Sequence, residues 1–208
     1  MFDVVILTDN RYVNPKKTDW YIEQVLLEDK LLERELEKKG LKVCKKDWAN
    51  PEFDWASTKY AIFRTTWDYF ERFNEFFSWI EKTQHKTTFI NSYKIINWNI
   101  DKHYLKDLSE KGINITPTLF IEKNDKITLE QLFNKTNWKE AVIKPAISGA
   151  ARHTYRININ NYSNYQDIFK KLIKEEAMLF QEFMNNITLK GEISLIMIGG
   201  RYTHAVKK

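Results

Sequence analysis

The sequence predicts an α/β protein: an N-terminal parallel-sheet domain, then a smaller α+β unit that leads into two closing strands. Three observations carry this expectation. The run FDVVILT at residues 2–8 is short and almost continuously apolar, the pattern of a strand buried on both faces of a parallel sheet. Runs of the same kind recur up to residue 91 with helical segments between them, the alternation that builds a parallel sheet. Beyond residue 91 the texture changes to shorter strands separated by capped helices.

Taken in order, the first strand ends in the turn Asp9-Asn10. Thr18-Asp19 then caps a helix with Ile22, Val25, Leu26, Leu32 and Leu36 on one face, which ends in Lys38-Lys39 before Gly40. A strand is expected over 41–46, a buried strand over 59–65 (KYAIFRT), a helix over 73–80 and a strand over 87–90. Ligands of such a sheet bind beyond the carboxyl ends of its strands, where Arg64, Thr65, Trp67, Asp68 and Tyr69 fall. Residues 100–111 then read as a helix ended by Gly112 and residues 117–121 as a strand. Thr128-Leu-Glu-Gln131 reads as a capping box opening another helix. Strands over 141–145, 153–157 and 178–183 enclose a helix over 165–174. The final strands, 193–198 and 202–206, are joined by Gly199-Gly200, a dipeptide suited to a tight hairpin.

Composition narrows the function classes. The 208 residues carry 33 Lys and Arg against 28 Asp and Glu, a net charge of +5 that is scattered rather than drawn into a stripe. That favours anionic ligands but not a nucleic-acid surface. Cys44 is the one cysteine, which excludes an internal disulfide and any multi-cysteine metal site; it is expected as a small apolar residue in a strand. The N-terminal run lacks the layout of a signal peptide, and no stretch reaches the roughly 20 apolar residues of a membrane helix, so a soluble cytoplasmic protein is expected. Trp67 and Trp98 are expected in the core. His153 and His204 have no nucleophile or acidic partner at a recognisable spacing and receive no role.

The sharpest local anomaly is Lys144 in the strand Val142-Ile-Lys-Pro145, on the same face as Val142. It either snorkels to the surface, pairs with a carboxylate, or awaits an anion. The small-residue run Ile147-Ser-Gly-Ala-Ala151 follows at once, and its backbone N–H groups could approach an oxyanion closely beside the lysine charge. Glu182 and Glu192, taken by themselves, read as solvated strand surface.

The order of these pieces resembles the ATP-grasp superfamily over almost the whole chain. Asp101-Lys102 before a helix, Pro117-Thr118, Val142-Ile-Lys-Pro145, the small loop, Phe180-Gln-Glu-Phe-Met184 and Gly191-Glu192 follow in that family's sequence. The likeness is closest to the glutathione-synthetase-like branch, and within it to the cyclo-ligases of cycloserine biosynthesis. With these the chain shares Arg64-Thr-Thr-Trp-Asp-Tyr69, Trp98-Asn-Ile-Asp-Lys102 and Gly199-Gly-Arg-Tyr-Thr-His-Ala-Val-Lys-Lys208.

The resemblance implies a pre-ATP-grasp domain over 1–91, a linker helix and ATP-grasp lid over 92–185, and the first strands of the core sheet over 186–208. It implies ATP as ligand, with Lys102 and Lys144 on the phosphates, Ser148, Gly149, Ala150 and Ala151 in a mobile phosphate-covering loop, and Lys208 as a further phosphate-side lysine. Gln181, Glu182 and Met184 would meet adenine, with the Glu182 carbonyl and the Met184 N–H on the base edge, and Glu192 would accept from the ribose hydroxyls. Such enzymes activate a carboxylate as an acyl phosphate for capture by a nucleophile. Magnesium is expected with them, held by a Glu-x-Asn strand and an acidic partner, but no Asp, Glu or Asn follows Glu192.

The expectation is therefore a ligase fragment or truncated form, inactive as this segment alone, with no catalytic or metal-ligating residue assigned. A non-catalytic nucleotide-binding module is the alternative, and a basic nucleic-acid-binding protein the third reading. Arg64 and Asp68 are the candidate contacts for a small carboxylate substrate, or else a structural ion pair with each other. No membrane partner is expected, and a homodimer is compatible with the sequence.

Overall fold

A computed structural model describes residues 1–208, which divide into two compact units, Met1–Lys102 and His103–Lys208. In the first unit, β1 (Phe2–Thr8), β2 (Val43–Asp47), β3 (Thr58–Thr65) and β4 (Thr88–Ile90) form one sheet in the order β2-β1-β3-β4, with every pair parallel. Alternation along β1 sends Val5 and Leu7 to one face, where they pack with Phe76 and Ile80 of α2 (Phe73–Thr83). Ile6 faces the other side, toward Leu26 of α1 (Trp20–Glu37). Helices on both faces explain why β1 is apolar throughout.

The first core is aromatic. Trp48, only 1% exposed, meets Phe76 edge-on at 5.0 Å, and Trp55, Trp79, Phe63 and Phe89 extend the cluster. The cap expected at residues 18–19 is made by Asp19, whose side chain accepts from the Ile22 N–H. Cys44 lies partly buried in β2, and burial pushes its thiol up to about 11, which leaves it protonated and unreactive. Two expectations are corrected here. Trp67 is 38% exposed, with its ring against Tyr12 and Tyr21, and Trp98 is 37% exposed, so neither is a core residue.

The helix expected over 100–111 is also shorter. Residues 100–103 form a turn that separates α3 (Tyr93–Asn99) from α4 (Tyr104–Glu110), which is the part of the expected helix that forms. Tyr93, Ile96 and Ile100 pack on the first core, which is what keeps α3 with the N-terminal unit. α4 ends as expected at Gly112, whose φ of 76° lets the Ile113 N–H reach back to the Leu108 carbonyl at 3.0 Å.

The second unit holds an antiparallel sheet ordered β5-β8-β6-β7, built from β5 (Thr118–Ile121), β6 (Glu140–Pro145), β7 (Tyr155–Asn158) and β8 (Met178–Glu182). One of its faces carries Ile121, Ala141, Ile143, Ile157, Met178 and Phe180. This face is closed by Leu129, Leu132 and Phe133 of α5 (Leu129–Thr136) and by Phe169, Leu172 and Ile173 of α6 (Gln166–Glu175). The capping box forms as its sequence requires: Thr128 Oγ1 accepts from the Gln131 N–H at 3.2 Å, and the Gln131 side chain accepts from the Thr128 N–H at 2.9 Å.

A short helix, α7 (Asn186–Lys190), has no counterpart in the sequence reading; Asn186 and Thr188 are poor helix formers, and it is one turn long. The chain then forms the hairpin of β9 (Ile193–Ile198) and β10 (Arg201–Lys207), a separate two-stranded sheet. Its turn glycines, Gly199 and Gly200, have φ of 58° and 75°, the left-handed values that a two-residue hairpin turn needs at both positions. Ile193, Leu195, Met197 and Tyr202 on this hairpin are all more than half exposed. No helix in the structure is long and apolar enough to cross a membrane.

Replacing Thr128 with Ala removes a cap that satisfies an otherwise unpaired helix N–H and should lower stability by about 1 kcal/mol. Urea unfolding of Thr128→Ala should show a lower midpoint at unchanged slope; an unchanged midpoint would show that α5 is held by its packing alone.

Candidate functional site

The second sheet has two unlike faces, and the candidate site is the one away from the helices. The register pairs Lys144 with Leu179 and Val142 with Gln181, and across β5 pairs Thr118 with Gln181. Since Ala141, Ile143, Met178 and Phe180 point into the core, alternation puts Val142, Lys144, Leu179, Gln181 and Thr118 together on the opposite face. Gln181, 7% exposed, donates from Nε2 to Thr118 Oγ1 at 2.8 Å, which fixes its amide.

Lys144 forms no ion pair or hydrogen bond with an acidic residue, and burial lowers its pKa. Burial is the only cause of that shift, so no carboxylate offsets the cost of desolvating the ammonium. The side chain therefore neither pairs with a carboxylate nor escapes fully to water, which leaves a half-buried cation able to take an anion.

Directly after β6, the chain turns through Ser148, Gly149, Ala150 and Ala151. Ala150 and Ala151 have φ of 48° and 58°, and His153 has φ of 49°, left-handed values that are uncommon outside glycine. At the far end of β8, the Glu182 N–H donates to the Pro117 carbonyl at 3.0 Å, and the Phe183 N–H to the Glu140 carbonyl at 3.1 Å. The next N–H, that of Met184, has no backbone acceptor, and the Met184 side chain is 37% exposed. Glu192 and Lys208 face each other across the end of the hairpin, their backbones exchanging hydrogen bonds at 3.3 and 2.8 Å. Both side chains are exposed.

The structure thus places Lys144, Gln181 and Glu182 on the neighbouring strands β6 and β8, with the Ser148–Ala150 loop following β6 at one end of the sheet and Met184 following β8 at the other, and pairs Glu192 with Lys208 across the end of the hairpin. Lys102 is the last residue of the other unit, in the turn between α3 and α4. Arg64 and Asp68 lie in that same unit, at the end of β3 and just beyond it, and do not pair with each other, which corrects the ion pair given as the alternative to substrate contact. Arg64 Nη2 instead donates to Glu28 at 2.7 Å, with Nε 3.7 Å from the buried Asp29. Asp68 accepts from Trp48 Nε1 at 2.7 Å and from Arg72 Nη2 at 2.5 Å, so Trp48 and Arg72 took the partner that sequence proximity suggested for Arg64.

Two arginines of the second unit escaped the sequence reading. Arg156 shares the face of Lys144 through its register with Val142, pairs with Glu140 at 2.9 and 3.1 Å, and lies 3.7 Å over the Phe183 ring. Arg152 ends the small loop and pairs with Glu176. A cation directly following the small-residue run was the available signal for Arg152. No group of three or more His, Cys, Asp and Glu side chains comes together in a way that could hold a metal ion. The residues present do not fit a magnesium site.

Known proteins resemble this chain in sequence and in fold. Residues 4–91 match the family described as the N-terminal domain of D-cycloserine synthetase DcsG. The chain is 26% identical over 175 residues to the cycloserine biosynthesis protein DcsG of Streptomyces lavendulae, a match covering 80% of this chain and 56% of that protein. The chain thus accounts for little more than half the length of that relative.

Among solved structures, that of D-cycloserine synthetase DcsG superposes with a TM-score of 0.86 at 22% identity, over 99% of this chain and 67% of the other. D-alanyl-alanine synthetase A from Vibrio cholerae gives 0.59 at 13% identity, over 97% and 64% of the two chains. A RimK-domain ATP-grasp protein from Sphaerobacter thermophilus gives 0.56 at 16% identity, over 88% and 64%. The chain shares the mixed α/β fold of these proteins, one of them described as ATP-grasp, which is the fold that the motif order led one to expect.

With its pKa lowered by burial alone, Lys144 binds its proton less tightly in the folded protein than in the unfolded chain, whose value is near 10.5. Between those two values the unfolded state holds more protons, so stability rises with pH. Lys144→Met should flatten that rise and unfold at higher urea than wild type at neutral pH. Urea titrations of both proteins at a series of pH values measure this, and parallel profiles would show that the ammonium is already solvated.

Proposed function

We propose that the second unit binds ATP on the open face of its sheet, and that it serves an ATP-dependent ligase that activates a carboxylate as an acyl phosphate. The observation that carries this reading is Lys144, a half-buried cation without a carboxylate partner, one turn of chain before a loop of small residues. The fold of the chain and its likeness to DcsG support it further.

On this reading each group acts by charge or by position. Lys144 balances phosphate charge from within the sheet, where partial burial makes the attraction stronger than in water. The N–H groups of the Ser148–Ala150 loop add oriented dipoles toward the same oxyanions. The Glu182 carbonyl and the unengaged Met184 N–H offer one acceptor and one donor, the pair that an adenine edge requires, while Gln181 is held beside them by Thr118. Glu192 takes the ribose hydroxyls, and Lys208 adds phosphate-side charge.

When bound, ATP supplies the phosphoryl group. A carboxylate oxygen bonds to the γ-phosphorus as the bond to the bridging oxygen breaks and ADP leaves, and a nucleophile then displaces phosphate from the acyl carbon. Protein groups contribute charge neutralisation and placement to such a step rather than covalent chemistry. For the carboxylate, Arg64 remains the candidate in the first unit. Its present bond to Glu28, a residue 70% exposed, is a weak surface pair that an incoming carboxylate can displace.

Calorimetry with ATP and with adenosine on residues 1–208, for wild type and Lys144→Ala, tests the reading. The expected result is saturable ATP binding in wild type and a loss of roughly tenfold or more in the variant, as for a charge-assisted contact of about 1.5 kcal/mol or above. Adenosine affinity should be the same in both. Equal ATP affinity in the two proteins would remove Lys144 from the phosphate site.

A further inference from the structure

We infer that Arg152 and Glu176 form a latch that sets the shape of the loop over residues 147–153, making Arg152 a positioning residue for the phosphate contacts; this rests on the nucleotide reading above. The guanidinium makes two parallel hydrogen bonds to one carboxylate: Nη1 to Glu176 Oε1 at 2.9 Å and Nη2 to Glu176 Oε2 at 2.5 Å. The two side chains are only 26% and 21% exposed, so the pair is partly withdrawn from solvent and less screened than a surface pair. Nη2 also donates to the Ile147 carbonyl at 3.2 Å. One side chain therefore ties the end of the loop to its beginning and both to a third segment.

That third segment is rigid. Glu176 follows the last turn of α6, donates its N–H to the Leu172 carbonyl, and precedes β8. Beside it the Ala146 N–H donates to the Ala177 carbonyl at 2.8 Å, so the base of the loop is stitched to the same junction. Inside the loop, the Arg152 N–H donates to the Gly149 carbonyl at 2.9 Å and Ser148 Oγ to the Arg152 carbonyl at 3.1 Å.

These bonds enforce a backbone that the residues would not choose. Ala150, Ala151 and His153 all sit at left-handed φ, and such conformations persist only where the surroundings over-determine them. Alanine has no side chain able to hold itself there, and Arg152 is the side chain that ties both ends of this loop to the α6–β8 junction. Lysine would not reproduce it, because its single nitrogen lacks the planar fork that meets both carboxylate oxygens in parallel. The loop is thereby pre-shaped, which reduces the ordering cost of meeting phosphate oxygens.

The test separates the latch from the nucleotide reading by measuring them differently. Hydrogen exchange of the amides of residues 148–153 is followed in wild type, Arg152→Lys and Glu176→Gln, the last nearly isosteric so that folding is preserved. Calorimetry with ATP and with adenosine is run on the same proteins. Both variants should exchange loop amides roughly tenfold faster or more, with β6 and β8 unchanged. ATP affinity should fall about tenfold at constant adenosine affinity.

Unchanged loop exchange would overturn the latch, whatever ATP does. Faster exchange across the whole unit would overturn it too, because the pair would then be a general staple of the fold. Faster loop exchange with unaltered ATP affinity would overturn the positioning role. If wild type binds no ATP while loop exchange responds as expected, the nucleotide reading fails and the latch stands.

Discussion

A desolvated ammonium without a counter-charge is a cost that a fold does not keep without a return, and the second unit is organised around one. Lys144 stands on β6 between neighbours that point the other way into a fully apolar core. Because side chains alternate along a strand, the residues that build that core oblige Lys144 onto the opposite face. The same alternation on β8 and β5 brings Gln181 and Thr118 there. The site is thus a by-product of packing the other side: Phe180 and Met178 have to be buried against α5 and α6, and Leu179 and Gln181 take the face that remains.

The loop after Lys144 follows a different physical logic. Its residues are small, which permits close approach to a ligand but leaves the backbone without local restraint. The restraint comes from a distance of 24 residues along the chain, through the fork between Arg152 and Glu176. A flexible composition is held in a strained shape by one partly buried ion pair, and a pair broken on one side would leave a charge with no partner.

The first unit spends its polar groups on itself. At the carboxyl ends of β1 and β3, Thr8 and Thr65 share a hydrogen bond of 2.5 Å, and the buried carboxylate of Asp9 is held by both Nε and Nη2 of Arg11. Asp68 is divided between Trp48 and Arg72, with the Arg72 guanidinium 4.4 Å over the Trp48 ring. Burial raises the pKa of Asp47 at the end of β2, against the pull of the Ala49 N–H and of Arg72. Arg64 is divided in the same way, between the exposed Glu28 and the buried Asp29.

Local signals in the sequence determined much of this. The apolar run of β1, the capping box at Thr128, Gly112 after α4 and the Gly199-Gly200 turn are each decided by a few adjacent residues, and each appears where the chain spells it. The order of the motifs determined the ATP-grasp fold, and Lys144 was visible as a charge on an apolar strand. Tertiary structure decided what depends on partners far away in sequence. It gave Arg64 and Asp68 the partners Glu28 and Trp48 rather than each other, left Trp67 and Trp98 at the surface, shortened the helix expected over 100–111, and joined Arg152 to Glu176. Secondary-structure period and turn chemistry are written in neighbouring residues, whereas an ion pair or a buried ring is selected only when distant segments compete for the same space.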